Sequence, residues 1–147
     1  MISCTEFIMA YSEWFKILDE SHGPQAVDAL WRSISAEFFG HLQQLVSEGG
    51  IEGMKAHWGR TLIEEKAKFE MYSDENQYMT VMHECPSVGA LRRADHMTRY
   101  DRYCEHCEAL YKPIIEACGF VYRKEILDAE QGVCTTVVRR LEEGRRP

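Results

Sequence analysis

The hydrophobic residues of this chain change their spacing once, near the middle of the sequence. Up to the turn at residues 73–76 they recur every three or four positions, which predicts amphipathic helices. From residue 77 to residue 85 apolar and polar side chains alternate, which is typical of a strand. The sequence therefore predicts an α+β fold in which a helical half precedes a small sheet.

The N-terminal helical half is predicted to contain three helices, over about residues 5–20, 24–47 and 51–72. Each carries an apolar stripe at helical spacing, and Gly-Pro and Gly-Gly pairs mark the breaks between them. The half is rich in aromatic residues, which suits the interface of a homodimer. They include Trp14, Trp31 and Trp58.

The second half is predicted to contain three strands, over about residues 77–85, 120–127 and 133–141, in an antiparallel sheet. A helix over about residues 97–111 carries two of the cysteines and is expected to cross this sheet. No repeat, low-complexity tract or linker divides the chain. Residues 1–147 are therefore predicted to form a single α+β domain.

The composition limits the partners and the compartment of the protein. Its 147 residues, 45% of them hydrophobic, are enough for one core, and its formal net charge of −7 argues against nucleic acid as a partner. No apolar run approaches the roughly 20 residues that cross a membrane, and the N-terminus lacks the pattern of a signal peptide. We therefore expect a cytoplasmic protein with no membrane partner, whose six cysteines stay reduced.

Two titratable residues fall on helix faces that are otherwise apolar. His41 lies within about 20° of Ile34 on the second predicted helix, and Glu65 lies between Trp58 and Phe69 on the third. A buried carboxylate needs a partner, so the sequence predicts either a His41–Glu65 pair or a pocket lined by both residues. The plainer interpretations are a single buried hydrogen bond, or a helix rotated so that one of the two faces solvent.

Four of the six cysteines are predicted to converge. Cys104 and Cys107 lie three residues apart and project from one side of a helix. Cys85 ends the first strand and Cys134 begins the last, so that pairing of these strands can bring both thiols to the same helix. His106 is expected to point away from this cluster if the helix is regular.

Such a set of thiols has three interpretations. It can bind a zinc ion or, less readily, an iron–sulfur cluster. A Cys-x-x-Cys pair can instead act as a redox dithiol. The third interpretation is that the thiols only fill the core as small apolar groups.

Short motifs in the second half link the chain to a known family. They are Glu84-Cys85-Pro86 after a strand, Leu91 in a short helix, Tyr103-Cys104 at the start of a longer helix, Gly119-Phe120, and Gly132-Val133-Cys134 at the start of the last strand. Over about residues 78–141 the chain resembles the L-2-amino-thiazoline-4-carboxylic acid hydrolase-like family. The resemblance implies an α+β fold and the hydrolysis of a cyclic C=N–S compound to N-carbamoyl-cysteine.

The resemblance also bears on individual cysteines. Cys85, Cys104 and Cys134 match the recurrent cysteines of the family. Cys107 departs from the pattern, because the family carries an acidic residue at about this position. A fourth thiol favours metal binding and leaves the identity of the substrate open.

Two functions follow from these residues. The first is a hydrolase or lyase that acts on a small nitrogen- or sulfur-containing, thiazoline-like substrate. In one version a zinc ion held by the four clustered cysteines activates water. In the other a thiolate attacks directly, while His83 or His41 moves the proton and Glu65 acts as general base or holds an amino group. The second function is a non-catalytic module that binds a metal, an iron–sulfur cluster or a ligand as a sensor or accessory subunit.

Overall fold

The helices of the protein lie against one face of an antiparallel sheet. The computed structural model describes residues 4–141. Its elements are, in chain order, α1 (Cys4–His22), α2 (Pro24–Phe38), α3 (Gly40–Glu64), β1 (Lys68–Ser73), β2 (Gln77–Glu84), α4 (Pro86–Arg93), a 3₁₀ turn (Tyr103–Glu105), α5 (His106–Ala117), β3 (Phe120–Asp128) and β4 (Val133–Arg140).

The four strands form one sheet in the order β1-β2-β4-β3, and all three pairings are antiparallel. The predicted α+β class is therefore confirmed, but the prediction of three strands is wrong, because β1 was not expected. Within the described part of the chain, no helix combines the length and the apolar character that a membrane crossing requires. The single domain over residues 1–147 stays a prediction.

The first two helices pack through the apolar stripes seen in their sequences. Phe15 of α1 and Val27 and Trp31 of α2 are buried in one hydrophobic cluster. Gly23 has a positive φ of 80° between the helices, and Pro24 occupies the first turn of α2, where no backbone donor is needed. The break between these helices lies where the sequence predicts it.

The prediction of one helix over residues 24–47 is wrong, because α2 ends at Phe38 and α3 begins at Gly40. Phe39 between them has φ −100° and ψ 21°, outside the helical region. The break changes the direction of the side chains that follow. His41 is exposed, which contradicts its predicted position on an apolar face, and the nearby Phe38 is 79% exposed.

Helix α3 continues through the predicted Gly-Gly break as a kinked helix. Gly50 has φ 53° and ψ −126°, a conformation that glycine adopts readily. The two halves of the helix then approach closely, since a Cβ atom on Gly53 would lie 1.9 Å from the carbonyl oxygen of Leu45. The kink folds both halves onto one core.

The third predicted helix, over residues 51–72, ends earlier than expected. Helix α3 stops at Glu64, and the backbone N–H of Glu65 closes it by donating to the carbonyl of Thr61 at 3.0 Å. Lys66 follows with a positive φ of 57°. Glu65 is therefore the C-cap residue that follows the helix and not a member of its apolar face.

The segment after α3 forms a strand because it finds a pairing partner. Lys68–Ser73 lies antiparallel to β2 along its whole length. The carboxylate of Asp74 fixes the turn between the two strands, since it accepts hydrogen bonds from the backbone N–H groups of Asn76 and Gln77, both at 2.8 Å. Strand β1, which the sequence did not predict, thus comes from residues that helical periodicity assigned to a helix.

The sheet has an inner face against the helices and an outer face away from them. Tyr78 on β2 and Tyr122 on β3 both lie opposite Val138 on β4, and all three side chains are buried. Further along the same face Lys124 and Cys134 are only half-buried. The inner face therefore has a closed end and a partly open end.

Helix α5 lies where two hydrophobic clusters meet. Ile114 and Ile115 belong to the cluster that covers the closed end of the sheet, together with buried residues of α3. Leu110 belongs to the cluster formed with α1, α2 and α4. Phe39 and Tyr111 pack against both clusters. The N-terminal turn of α5 is thereby held beside the open end of the inner face.

Candidate thiolate site

Cys107 lies in the first turn of α5, directly after the 3₁₀ turn Tyr103–Glu105. Its side chain is half-buried, and burial, which by itself raises the pKa of the thiol, is the strongest influence on that pKa. A cysteine at a helix N-terminus also benefits from the positive end of the helix dipole. Cys107 is therefore a recessed thiol that keeps some contact with solvent.

The imidazole of His106 is the nearest titratable partner of this thiol. Its Nε2 lies 3.6 Å from Sγ of Cys107, and its Nδ1 contacts the carbonyl oxygen of Tyr103. Because a carbonyl only accepts, Nδ1 carries the hydrogen, and the neutral ring presents the lone pair of Nε2 to the thiol. The pair can thus convert into an imidazolium and a thiolate by moving one proton.

Aromatic rings hold the imidazole in this orientation. The ring of His106 packs against Tyr103 at 4.7 Å, Tyr11 at 6.0 Å and Phe15 at 6.3 Å between centroids. Burial lowers the pKa of His106, but the charge of Cys107 and the hydrogen bonds to Cys107 and Tyr103 outweigh burial, so that the pKa is raised overall.

Lys124 supplies a second cation from the sheet. It lies on the inner face of β3, and its Nζ donates a hydrogen bond to the carbonyl oxygen of Cys104 at 3.0 Å. Burial lowers the pKa of the Lys124 ammonium group. The neighbouring thiols, of which Cys107 has the largest effect, raise this pKa above its ordinary value. Burial alone would raise the pKa of Cys107; the charges of His106 and Lys124, with their hydrogen bonds, bring it well below its usual range.

The other three thiols remain protonated around this thiolate. Burial raises the pKa of Cys85 to about 11, and the charge of Cys107 adds to the effect. Burial likewise raises the pKa values of Cys104 and Cys134, and for both Lys124 acts in the opposite direction. The surroundings therefore favour the thiolate at Cys107 and the neutral thiol at the other three positions.

Backbone contacts hold Cys85 close to the loop that precedes β4. The backbone N–H of Cys85 donates to the carbonyl of Gly132 at 3.1 Å, and a Cβ atom on Gly132 would lie 2.8 Å from that of Cys85. Cys134 follows two residues later on the face of Lys124. Lys124 interacts electrostatically with all four predicted cysteines, and most strongly with Cys107.

This arrangement does not present a ligand set for a metal. Among residues 4–141, no three His, Cys, Asp or Glu side chains are grouped so that they can hold an ion. The positive charge that acts on these thiols comes from Lys124, whose Nζ is hydrogen-bonded to the carbonyl oxygen of Cys104. The zinc site and the iron–sulfur cluster stay predictions without a ligand group in the described part of the chain.

The charge of Cys107 acts on the carboxyl group of Glu65 and on several phenols. Glu65 is exposed at the end of α3, yet the surrounding protein raises the pKa of its carboxyl, and the charge of Cys107 raises it further. Burial raises the pKa of Tyr11 to about 12, and again the charge of Cys107 contributes. The same two causes raise the pKa of Tyr111, with Glu65 as an additional neighbour. Glu65 is thus within electrostatic reach of the thiolate.

The two histidines predicted as proton carriers lie elsewhere. His83 is on the outer face of β2, where its Nε2 lies 2.8 Å from Oε1 of Glu70 and its side chain is 49% exposed. His41 is exposed on the first turn of α3, and its charge acts on His57. Glu65 is therefore within electrostatic reach of Cys107, whereas His83 lies on the outer face of the sheet and His41 is exposed.

Two residues of the site, His106 and Lys124, were not predicted from the sequence. The prediction that His106 points away assumes one regular helix over residues 97–111, whereas the 3₁₀ turn before α5 changes the directions of the side chains along this segment. The signal for Lys124 was available, since strand alternation puts it on the same face as Phe120 and Tyr122.

Comparison of the chain with protein-family models, with curated proteins and with solved structures yields no match. The resemblance to the L-2-amino-thiazoline-4-carboxylic acid hydrolase-like family therefore stays a prediction.

Proposed function

We propose that this protein is a hydrolase that uses Cys107 as nucleophile on a small molecule with an amidine-like C=N carbon, such as a thiazoline. The observation that carries the proposal is the 3.6 Å contact between Sγ of Cys107 and Nε2 of His106, beside the ammonium group of Lys124. A thiolate held between two cations reacts with electrophilic carbon at neutral pH, and the adjacent imidazolium can deliver a proton.

The residues account for both halves of such a reaction. Sγ of Cys107 attacks the C=N carbon, and the imidazolium of His106 gives its proton to the nitrogen. The ring C–S bond then breaks, which leaves the carbon attached to Cys107 and frees the sulfur of the substrate as a thiolate. Neutral His106 next takes a proton from water as the water attacks the same carbon. Release of Cys107 as thiolate completes the cycle, and the remaining proton passes to the freed sulfur.

Glu65 and Lys124 have supporting roles in this proposal. The carboxylate of Glu65 is placed to hold the amino group of an amidine-like substrate, since it lies within electrostatic reach of Cys107. Lys124 stabilises the thiolate and favours an anionic substrate. The expected partner is therefore a small molecule that carries both an amidine-like group and a negative charge.

Turnover of 2-aminothiazoline-4-carboxylate tests the proposal directly. We expect wild-type protein to release N-carbamoyl-cysteine and the Cys107→Ser variant to lose about 10²-fold or more of the rate, since a serine hydroxyl is not ionised at neutral pH. Cys118→Ser is the matched control, because Cys118 lies at the other end of α5 beside the carbonyl of Gln43. Full turnover in the Cys107→Ser variant would contradict the proposal.

Metal removal distinguishes direct attack by a thiolate from attack by zinc-activated water, the two mechanisms that the sequence leaves open. A thiolate nucleophile needs no ion, so extensive treatment with a chelator is expected to leave turnover unchanged. Turnover that disappears with the chelator and returns with zinc would support a metal-activated water instead, and would remove Cys107 from the role of nucleophile.

A further inference from the structure

Cys104 and Cys107 lie one turn apart at a point where a 3₁₀ turn runs directly into α5. Side chains at positions i and i+3 eclipse each other in 3₁₀ geometry. In a helix their Cβ atoms are about 5–6 Å apart, whereas a disulfide brings the two Cβ atoms to about 3.5–4.5 Å, so the turn has to tighten before the bond can form. The two sulfurs can therefore meet after a local adjustment of one turn.

We propose that Cys107 is also a redox site, at which a hydroperoxide oxidises the sulfur and Cys104 then closes a Cys104–Cys107 disulfide. The inference rests on the same thiol–imidazole pair as the proposed function. It goes further, because it assigns a second class of substrate and a way to switch the nucleophile off.

Cys104 suits the role of resolving thiol better than its neighbours do. Its sulfur donates a weak hydrogen bond to the carbonyl oxygen of Ala129 at 3.9 Å, and its half-buried side chain packs at the edge of the hydrophobic cluster formed with α1, α2 and α4. Cys134 is held in the sheet between Met82 and Ile126. A bridge from Cys107 to Cys134 would have to move a paired strand.

Cys85 is fixed in a similar way. It precedes α4, and close packing against Gly132 and the hydrogen bond to its carbonyl hold the backbone at this point. A bridge from Cys107 to Cys85 would therefore displace both α4 and the start of β4, whereas Cys104 is on the same stretch of chain as Cys107.

The chemistry balances with residues already at the site. Sγ of Cys107 attacks the outer oxygen of the hydroperoxide, the O–O bond breaks, and the departing alkoxide or hydroxide takes a proton from the imidazolium of His106. The products are a sulfenic acid on Cys107 and an alcohol or water. The thiol of Cys104 then attacks this sulfur, and its proton leaves with the hydroxyl group as water. The two thiols lose two electrons to the hydroperoxide, and an external dithiol can return them.

Mass spectrometry of the full-length reduced protein tests the proposal. One equivalent of hydrogen peroxide is expected to remove two hydrogens from the intact mass, and peptide mapping is expected to join Cys104 to Cys107. The Cys104→Ser variant should instead gain one oxygen on Cys107, which a 1,3-diketone traps. The Cys118→Ser variant should form the same disulfide as the wild-type protein, and dithiothreitol should reverse it.

Two results would overturn the inference: an unmodified Cys107 after peroxide treatment, or a disulfide that joins Cys107 to Cys85 or Cys134. The wild-type experiment stands without any variant, so a misfolded variant does not affect it. The readout is mass and not turnover, so the two proposals fail separately. The disulfide can form in a protein that hydrolyses no thiazoline, and turnover can persist in one that forms no disulfide.

Discussion

At the scale of single residues, the reactivity of this protein depends on the surroundings of Cys107. Burial alone would keep its thiol neutral, as it does for Cys85. The difference comes from His106 and Lys124, which the fold brings to Cys107 and which a cysteine pattern alone does not reveal. The sequence predicts a cluster of thiols. Which of them ionises depends on the directions that the 3₁₀ turn before α5 gives to the side chains.

Replacing Lys124 by Met should raise the pKa of Cys107, because a positive charge that favours the thiolate is removed. We expect a shift on the order of one pH unit in the ultraviolet absorbance titration of the thiolate. Arg123→Met is the matched control, since Arg123 is the next residue on β3 and is exposed on the outer face. Equal shifts in the two variants would show that Lys124 does not act on Cys107.

Replacing Glu65 by Gln should leave the fold intact and weaken substrate binding. The carboxylate follows α3 within electrostatic reach of Cys107, and loss of a charged hydrogen-bond partner corresponds to about 10-fold weaker binding or more. Calorimetric titration with 2-aminothiazoline-4-carboxylate measures the effect. Glu64→Gln is the control, because Glu64 pairs with Arg60 at 3.6 Å on the exposed side of the helix. Unchanged binding in Glu65→Gln would argue against a pocket at this position.

At the scale of elements, periodicity predicted which segments are apolar and on which side, but not where each helix ends. Residues 68–73 became a strand because β2 offers them a hydrogen-bonding partner, and that partner is invisible in a local window. The same limit applies to Phe39, whose non-helical backbone turned His41 out to solvent. The predicted His41–Glu65 pair depended on helices that the tertiary structure interrupts.

Gly132 is predicted to be the most sensitive glycine near the site. It has a φ of 70°, and an added Cβ would lie 2.8 Å from the Cβ of Cys85, so Gly132→Ala combines backbone strain with a clash. We expect a loss of about 2–4 kcal/mol in the free energy of unfolding, measured with urea. Gly119→Ala is the matched control, because Gly119 has a φ of 84° but no atom within 4 Å of an added Cβ. Equal losses at both positions would show that the contact with Cys85 adds nothing.

At the scale of the whole molecule, the site lies at the open end of the sheet, where α5 joins the two hydrophobic clusters. The closed end of the inner face is filled by Tyr78, Tyr122 and Val138, whereas Lys124 and Cys134 at the other end keep some exposure. The α+β class followed from the change of hydrophobic period. The position of the site did not, because it requires the strand register and the helix crossing together.

The pH dependence of turnover should reflect the thiolate–imidazolium pair. Because the pKa of Cys107 is lowered, the thiolate forms at a pH below the ordinary thiol range and persists above it. Because the pKa of His106 is raised, the imidazolium persists above the ordinary imidazole range and is lost only at higher pH. We therefore expect a bell-shaped rate profile between these two limits. A profile that rises only near a pH of about 8.5 would indicate an unperturbed thiol.

The ionisation of Cys107 is the property on which the other proposals depend, and alkylation measures it most directly. The rate at which iodoacetamide modifies each cysteine is followed by peptide mass spectrometry from acidic to alkaline pH. Cys107 should react at mildly acidic pH, well before Cys118, whose pKa is raised by burial. If Cys107 gains reactivity only together with Cys118, the thiolate between His106 and Lys124 does not exist.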